Sequence, residues 1–330
     1  MKKIKILIKE DSNLCESKDK TPLEFGRIDK YLSEYMEDYT RSYIKSLIKA
    51  KKVFVNDKII KPSYILKIGD SITVELPEDD TFEILPENKP LDVIYEDQFL
   101  AILNKPPHLI VHPTQSIKSG TLVNRLKYWF ENLSDIYAPF RPGIVHRLDK
   151  DTTGLIVIAK DNVTHEKLKD IFKARKIEKH YVAIVQGTID EKIVIEKPIG
   201  RDLNNRTKMA VDEELGKYAK SIVLPLEYNE DYSSVDVEIL TGRTHQIRVH
   251  LSSIHHPILG DRTYGLKKEK VNATRQMLHA YFLKFCHPIT GKMISVGALP
   301  GEEFITILKK CNLDKNKLYR HLDSMEVNNG

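Results

Sequence analysis

The densest concentration of potentially reactive side chains lies in RPGIVHRLDKDTTGLIVIAK, Arg141 to Lys160. The polar cluster His146-Arg147-Leu148-Asp149 runs into Thr152-Thr153-Gly154 and then into a strongly apolar run. A strand end flanked by a charged loop holds reactive groups on rigid support, and a carboxylate there can serve as nucleophile or general base. A plainer reading makes Asp149 the acceptor of an Asx-type turn capped by threonines. Asp149 and Asp151 could also form a hydrolytic carboxylate pair, but residues two apart rarely present carboxylates across a scissile bond.

A second stretch, LTGRTHQIRVHL from Leu240 to Leu251, alternates as a strand would. Thr241, Arg243, His245, Ile247 and Val249 share one face, and Gly242, Thr244, Gln246, Arg248 and His250 the other. A guanidinium pointing inward needs an anion, so Arg243 or Arg248 should have a defined partner. His245, His250, His255 and His256 fall close together, but no HExxH or CxxC accompanies them and no carboxylate triad stands at ligand spacing. No metal site is expected. His146 reads as a partner that orders its loop.

The elements around these stretches are short β-branched runs: DVIYED, FLAILNKP, LIVIAK, YVAIVQG, SIVLPLEY and SVDVEIL. One clear helix, Asn162 to Arg175, interrupts them. Strands outnumber helices, and the strand-helix alternation of a doubly wound sheet is missing. The fold class expected is α+β, with a mixed, mainly antiparallel sheet over residues 89–313. A small α/β module precedes it at residues 27–77. There, Ile28, Tyr31, Leu32 and Tyr35 recur at helical spacing, and Thr40 can cap a second helix with apolar face Ile44, Leu47 and Ile48. Asn56-Asp57 then turns between short strands, and SITVEL is the last strand. Residues 1–26 read as an N-terminal extension, 78–88 as a linker, and 314–330 as a charged tail, frayed or a loosely docked helix.

The 330 residues carry 52 basic and 47 acidic side chains, a formal net charge of +5, a weak global argument for a polyanionic partner. Local distribution says more. Thr40 to Lys61 holds seven basic residues against Asp57 alone, and Gly69 to Asp97 holds ten acids against Lys89 alone. Arg41, Lys45, Lys49 and Lys52 line up near i, i+4 steps as a cationic stripe. Three scattered cysteines, Cys15, Cys286 and Cys311, make no paired framework, and no apolar run could span a bilayer. The start turns acidic before a signal-type apolar region forms. A cytoplasmic protein is expected, and a monomer, since no segment reads as a spare apolar interface.

Several of these blocks resemble known families. From Arg27 to Pro77, the second helix, VNDKII and KIGD match in spacing the αL RNA-binding domain shared with a small-subunit ribosomal protein. HRLDKDTTGL resembles the HRLD-x-x-T-[ST]-G-L signature of the RluA family of RNA pseudouridine synthases, and LTGRTHQIRVHL that family's second signature. NKPPHLIVHPT, SGTLVNRL, KHYVAIVQG, HPILGDRTYG and RQMLHAYFLKFCHP agree. His255 departs from the glycine usual before the HP pair, which concerns only a local turn.

The resemblance implies a pseudouridine synthase fold, no cofactor, and structured large-subunit (23S) ribosomal RNA or its precursor particle as partner. It makes Asp149 the catalytic carboxylate, with Arg243 pairing with it. Tyr181 would pack against the detached base and assist proton removal at carbon 5. Arg147 would fill the place a flipped uridine leaves. Arg41, Lys45, Lys49 and Lys52 would contact RNA phosphates. The alternative is a catalytically idle RNA-binding or ribosome-assembly protein. The Asp149, Tyr181 and Arg243 set argues against it, because a pure binder has no need of an inward aspartate-arginine pair.

Overall fold

The computed structural model describes residues 2–8, 26–36, 39, 41–76, 84–113, 117–136, 141–202, 205 and 208–327. Thr40, Pro77 and residues 78–83 of the expected linker lie outside them. The chain forms two compact units, Met1–Glu83 with Asp135–Pro142, and Ile84–Ser134 with Gly143–Gly330.

In the first unit, strand β1 (Lys2–Leu7) precedes helices α1 (Ile28–Tyr35) and α2 (Arg41–Lys49) and strands β2 (Val53–Val55), β3 (Lys58–Ile59) and β4 (Ser71–Leu76). The sheet order is β1-β4-β2-β3, all antiparallel. The first residues are therefore not a bare extension: Lys2 to Leu7 pair along β4 from Leu76 to Ser71. Their alternation explains why, since Ile6 and Ile8 are buried while the intervening side chains face outward. They join Ile28, Leu32, Ile44, Ile48, Val53, Val55, Ile72 and Val74 in one core. Asn56 and Asp57 both take positive φ, 50° and 58°, as a two-residue hairpin between right-twisted strands demands.

The second unit is built on a nine-stranded sheet. Its strands are β5 (Val93–Glu96), β6 (Leu100–Lys105), β7 (Thr153–Ala159), β8 (Ile177–Gln186) and β9 (Ile193–Glu196), then, after the separate hairpin β10 (Ile199–Arg201) and β11 (Met209–Val211), β12 (Lys220–Tyr228), β13 (Tyr232–Ile239), β14 (Leu278–Cys286) and β15 (Met293–Gly297). The order is β5-β6-β7-β14-β8-β13-β12-β9, with β15 also on β14. Every pairing is antiparallel except β7 with β14, so the mixed, mainly antiparallel sheet is as the β-branched runs foretell.

Helices α3 (Leu122–Trp129), α4 (Asn162–Lys173), α5 (Gln246–Ser253), α6 (Glu302–Lys310) and α7 (Lys315–Val327) complete the unit. Helix α4 begins where Asp161 accepts the Thr164 N–H at 2.8 Å, and its chain reverses at Arg175, φ 59°. One difference from the sequence reading stands out, and one of its alternatives, a docked helix for the tail, is found. Residues 84–90 dock as part of this unit: Ile84 is buried, Asn124 Nδ2 donates to the Leu85 carbonyl, and Trp129 Nε1 to the Lys89 carbonyl. The charged tail is helix α7, seated by buried Leu318 and Leu322.

Candidate active site

Asp149 sits on the loop that enters β7, and that loop is tied down from several sides. His146 Nε2 accepts the Val157 N–H at 2.8 Å, and its ring stacks on Phe172. Burial, aided by the nearby Lys179 charge, pushes the imidazole down to about 3, so His146 is a neutral tether. Lys105, fully buried, donates to the carbonyls of Pro106, Leu109 and Lys150 at 2.9, 3.0 and 2.9 Å. Arg275 Nη1 donates to the Asp151 carbonyl, and His108 Nδ1 stands 2.7 Å from the Asp151 carboxylate. Asp151 is thus engaged outside the cleft rather than paired with Asp149 for hydrolysis.

Below the loop, Gly154 at φ 110° meets β14 so closely that a Cβ would lie 2.1 Å from the Ala280 carbonyl oxygen. No other residue type fits there, and this fixes where β7 emerges beneath Asp149.

The opposite wall corrects the strand reading of LTGRTHQIRVHL. Thr241 to His245 form a turn, His245 adopts φ 57°, and residues Gln246–Ser253 are helix α5. Gln246 organises the switch: its Oε1 accepts from the Arg243 N–H and the Thr241 hydroxyl, while Nε2 donates to the Lys220 carbonyl and Ser221 Oγ. The arginine facing Asp149 is consequently Arg248, not Arg243. Arg248 Nη1 donates to Asp149 Oδ2 at 2.9 Å. Arg243 instead gives its Nε hydrogen to the Tyr218 carbonyl at 2.9 Å and stays partly exposed on the cleft wall.

Arg248 is fixed from behind by Asp261, through Nε–Oδ2 at 2.6 Å and Nη2–Oδ1 at 2.9 Å, a bidentate fork with a fully buried carboxylate. Asp261 Oδ1 also accepts the N–H groups of Thr263 and Tyr264. Burial works against both charges, yet the bonds between them outweigh it: Asp261 is held below the usual carboxylate range and Arg248 above its own. The guanidinium lies 5.0 Å from the Tyr264 ring centroid, and the Tyr264 hydroxyl stands 2.8 Å from His245 Nδ1. His245 Nε2 is 3.8 Å from Asp149 Oδ1.

These walls enclose a cleft of about 510 Å³. Tyr181 on β8 lines it, 9 % exposed, its phenol raised above the ordinary range first by burial and then by the Asp149 charge. Arg147, exposed at the rim, lines it too. The structure therefore brings Asp149, Tyr181 and Arg147 together and adds Arg248, Asp261 and His245, which sequence reasoning did not single out as a set. The expected RNA stripe lies in the first unit. There Arg41 and Lys45 reach the buried Asp29 at 3.1 and 3.4 Å, Lys52 stands 3.9 Å from Glu75, and Lys49 is exposed. Arg27 also clasps Asp29, and these bonds overcome the effect of burial to hold its carboxyl at about 2.

Comparison with known proteins decides what this arrangement belongs to. Residues 99–253 match the RNA pseudouridylate synthase family model, and residues 26–72 the S4 domain. An RNA pseudouridine synthase of Bacillus subtilis, YlyB, itself uncharacterised, is 39 % identical over 291 residues, 88 % of this chain and 95 % of the relative. The chain belongs to the RNA pseudouridine synthase family. It is of the RluA type, an isomerase that acts on RNA, with an S4 domain at its N-terminus. The ribosomal large subunit pseudouridine synthase D of Haemophilus influenzae is 36 % identical over 301 residues, 87 % of this chain and 92 % of that synthase. Human RNA pseudouridylate synthase domain containing 1 superposes with a TM-score of 0.56 at 26 % identity, covering 71 % of this synthase and 95 % of the human chain. Among the described residues no helix is long and apolar enough to cross a membrane.

Proposed function

We propose that this synthase converts specific uridines of large-subunit (23S) ribosomal RNA to pseudouridine, with Asp149 as the catalytic carboxylate. The observation that carries the reading is the Asp149–Arg248–Asp261 chain, which aims one carboxylate into a cleft walled by Tyr181. The similarity to synthases named for the ribosomal large subunit supports the choice of RNA.

In the reaction the C1′–N1 bond breaks, the uracil rotates, and C1′ bonds to C5. The C5 proton leaves, and N1 regains one, so atoms and electrons balance without an added reactant. Asp149 can attack the sugar or the base, or remove a sugar proton to give a glycal. Each route needs a carboxylate fixed in direction and shielded from bulk water, which the Arg248 bond and the cleft supply. Tyr181 keeps its proton at neutral pH, so it packs on the base and serves proton removal at C5 as a relay, taking one proton as it passes its own on. A stacked uridine cannot reach the cleft, so it is extruded at a cost of about a few kcal/mol, and exposed Arg147 fills the vacated place. Backbone contacts from Arg41, Lys45, Lys49 and Lys52 on the S4 domain offset the remainder. The protein works without metal or cofactor, as a monomer, in the cytoplasm.

The test is to map pseudouridines in ribosomal RNA from cells with the wild-type protein, with Asp149→Asn, and without the gene. Sites lost in both altered strains are expected, with the Asp149→Asn protein still folded and still bound to RNA. Full modification by Asp149→Asn would overturn the assignment of Asp149, and identical maps in all three would favour an idle binder.

A further inference from the structure

Six basic side chains line the cleft, Arg147, Lys173, Arg175, Lys179, Arg243 and Arg248, against the single acid Asp149. Arg248 is accounted for by two carboxylates. Lys179 is not. It lies on β8 two residues before Tyr181, so both side chains issue from the same face of the strand. Only 8 % of it is exposed, yet among the described residues no carboxylate stands within ion-pair distance of its ammonium. Its ammonium instead lies over the face of Phe172, with Nζ 5.6 Å from the ring centroid. Arg175 adds a second positive charge nearby, its guanidinium 5.3 Å from the Tyr218 ring.

A buried charge without a partner is expensive to hold, and folds retain one where a ligand supplies the missing charge. We infer that Lys179, with Arg175 outside it, forms a phosphate seat on the cleft wall that grips a backbone phosphate next to the extruded uridine. The inference rests on the Asp149 cleft being the uridine site. Phosphate is the anion that fits: the nucleotide entering the cleft brings one on each side, and a lysine binds it as a point charge with little demand on direction. The rise of Nζ from the strand that carries Tyr181 puts the phosphate grip and the base-packing ring on one rigid element. Burial, reinforced by the Arg175 charge, pushes the Lys179 amine down to about 8 in the RNA-free protein, as expected of a site waiting for an anion.

The test compares wild type, Lys179→Gln, Lys179→Arg and Lys179→Met on an unmodified large-subunit ribosomal RNA transcript. Affinity is measured by binding across a salt series, so the result stands whether or not product forms. Loss of one phosphate contact lowers the slope of log K against log salt by about 0.7 for a single strand. Lys179→Gln is expected to show that loss and a KM raised about tenfold with kcat within about threefold, the change of one charge-assisted contact. Lys179→Arg should restore the slope. Lys179→Met should unfold at the wild-type temperature or above, because no ion pair is lost with the charge. An unchanged slope in Lys179→Gln, or a lowered melting temperature in Lys179→Met, would overturn the phosphate seat and make Lys179 structural. A normal slope change with no pseudouridine formed by wild type would instead retain the seat and refute the activity.

Discussion

The chain of charges behind Asp149 makes a quantitative claim that separates Arg248 from Arg243. Replacing Arg248 with Met removes bonds of 2.9 Å to Asp149 and of 2.6 and 2.9 Å to Asp261. It leaves Asp261, whose side chain has no exposure, as a buried charge with only two backbone N–H donors. Breaking a buried pair from one side costs about 3–5 kcal/mol. For a domain of this size each kcal/mol moves the melting temperature by roughly 2–4 °C, so a fall of about 6–20 °C is expected in differential scanning calorimetry. The double variant Arg248→Met/Asp261→Asn keeps the acceptor oxygen for Thr263 and Tyr264 but buries no charge. It should recover about 1–3 kcal/mol of the loss, the coupling expected of such a pair. Activity should not recover, because Asp149 still lacks its donor; a deficit of at least about a hundredfold in kcat is expected for both variants, the scale of losing one preorganised charge-assisted contact. Arg243→Ala loses one bond to a carbonyl on a partly exposed side chain, worth about 1 kcal/mol, and should melt within a few degrees of wild type. Equal melting of Arg248→Met and Arg243→Ala, or a double variant no more stable than Arg248→Met, would refute the argument.

Other outcomes follow from the same geometry. Asp29→Asn in the S4 domain releases Arg27, Arg41 and Lys45; because the folded carboxyl is held at about 2, its contribution of about 2 kcal/mol, discounted for half-exposed partners, is present above pH 4 and lost as pH falls towards 2. Acid titration of the wild type against Asp29→Asn should show that difference closing over that window. Lys105→Met removes three carbonyl acceptors' only common donor, including the grip on the Lys150 carbonyl, and should cost about 1–3 kcal/mol by urea unfolding. Replacing Lys45, Lys49 and Lys52 together should weaken RNA binding and flatten its salt dependence by roughly one unit per lost phosphate contact; an unaltered slope would make the stripe a solvated face. Deleting residues 314–330 uncovers the groove of Leu318 and Leu322 and takes His321 from its place 3.5 Å from the buried Asp236, and should lower the melting temperature by several degrees, as loss of two buried leucines implies.

Much of this was legible in the chain because the informative residues are contiguous. HRLDKDTTGL holds both the loop and the strand that supports it, and the β-branched runs announced a sheet without alternating helices. What hid was whatever depended on distant partners. LTGRTHQIRVHL alternates like a strand, and only the Gln246 side chain, reaching Lys220 and Ser221 on β12, turns it into a helix start. That change of period exchanges Arg243 for Arg248. Asp261 lies within HPILGDRTYG, and its task as the anchor of Arg248 has no local signature. Likewise KIKILI alternates clearly, yet its partner β4 begins some sixty residues later, so an apparent extension is an edge of the S4 sheet.

The single parallel contact in the large sheet joins Thr153 and Gly154 to His279 and Ala280. It sets an order of events on the ribosome. Strand β7 leaves the exit tunnel long before β14 is made, and the Asp149 loop waits for Asp261, Arg275 and β14 to close over it. Closing so long a segment is a late, entropically costly step. A nascent or truncated chain that ends before β14 thus carries Asp149 without the walls that orient it, while strands β1–β4 and helices α1 and α2 are already made. On the proposed assignment such a chain would bind RNA through its S4 domain without modifying it, so incomplete chains would be inert competitors rather than indiscriminate isomerases.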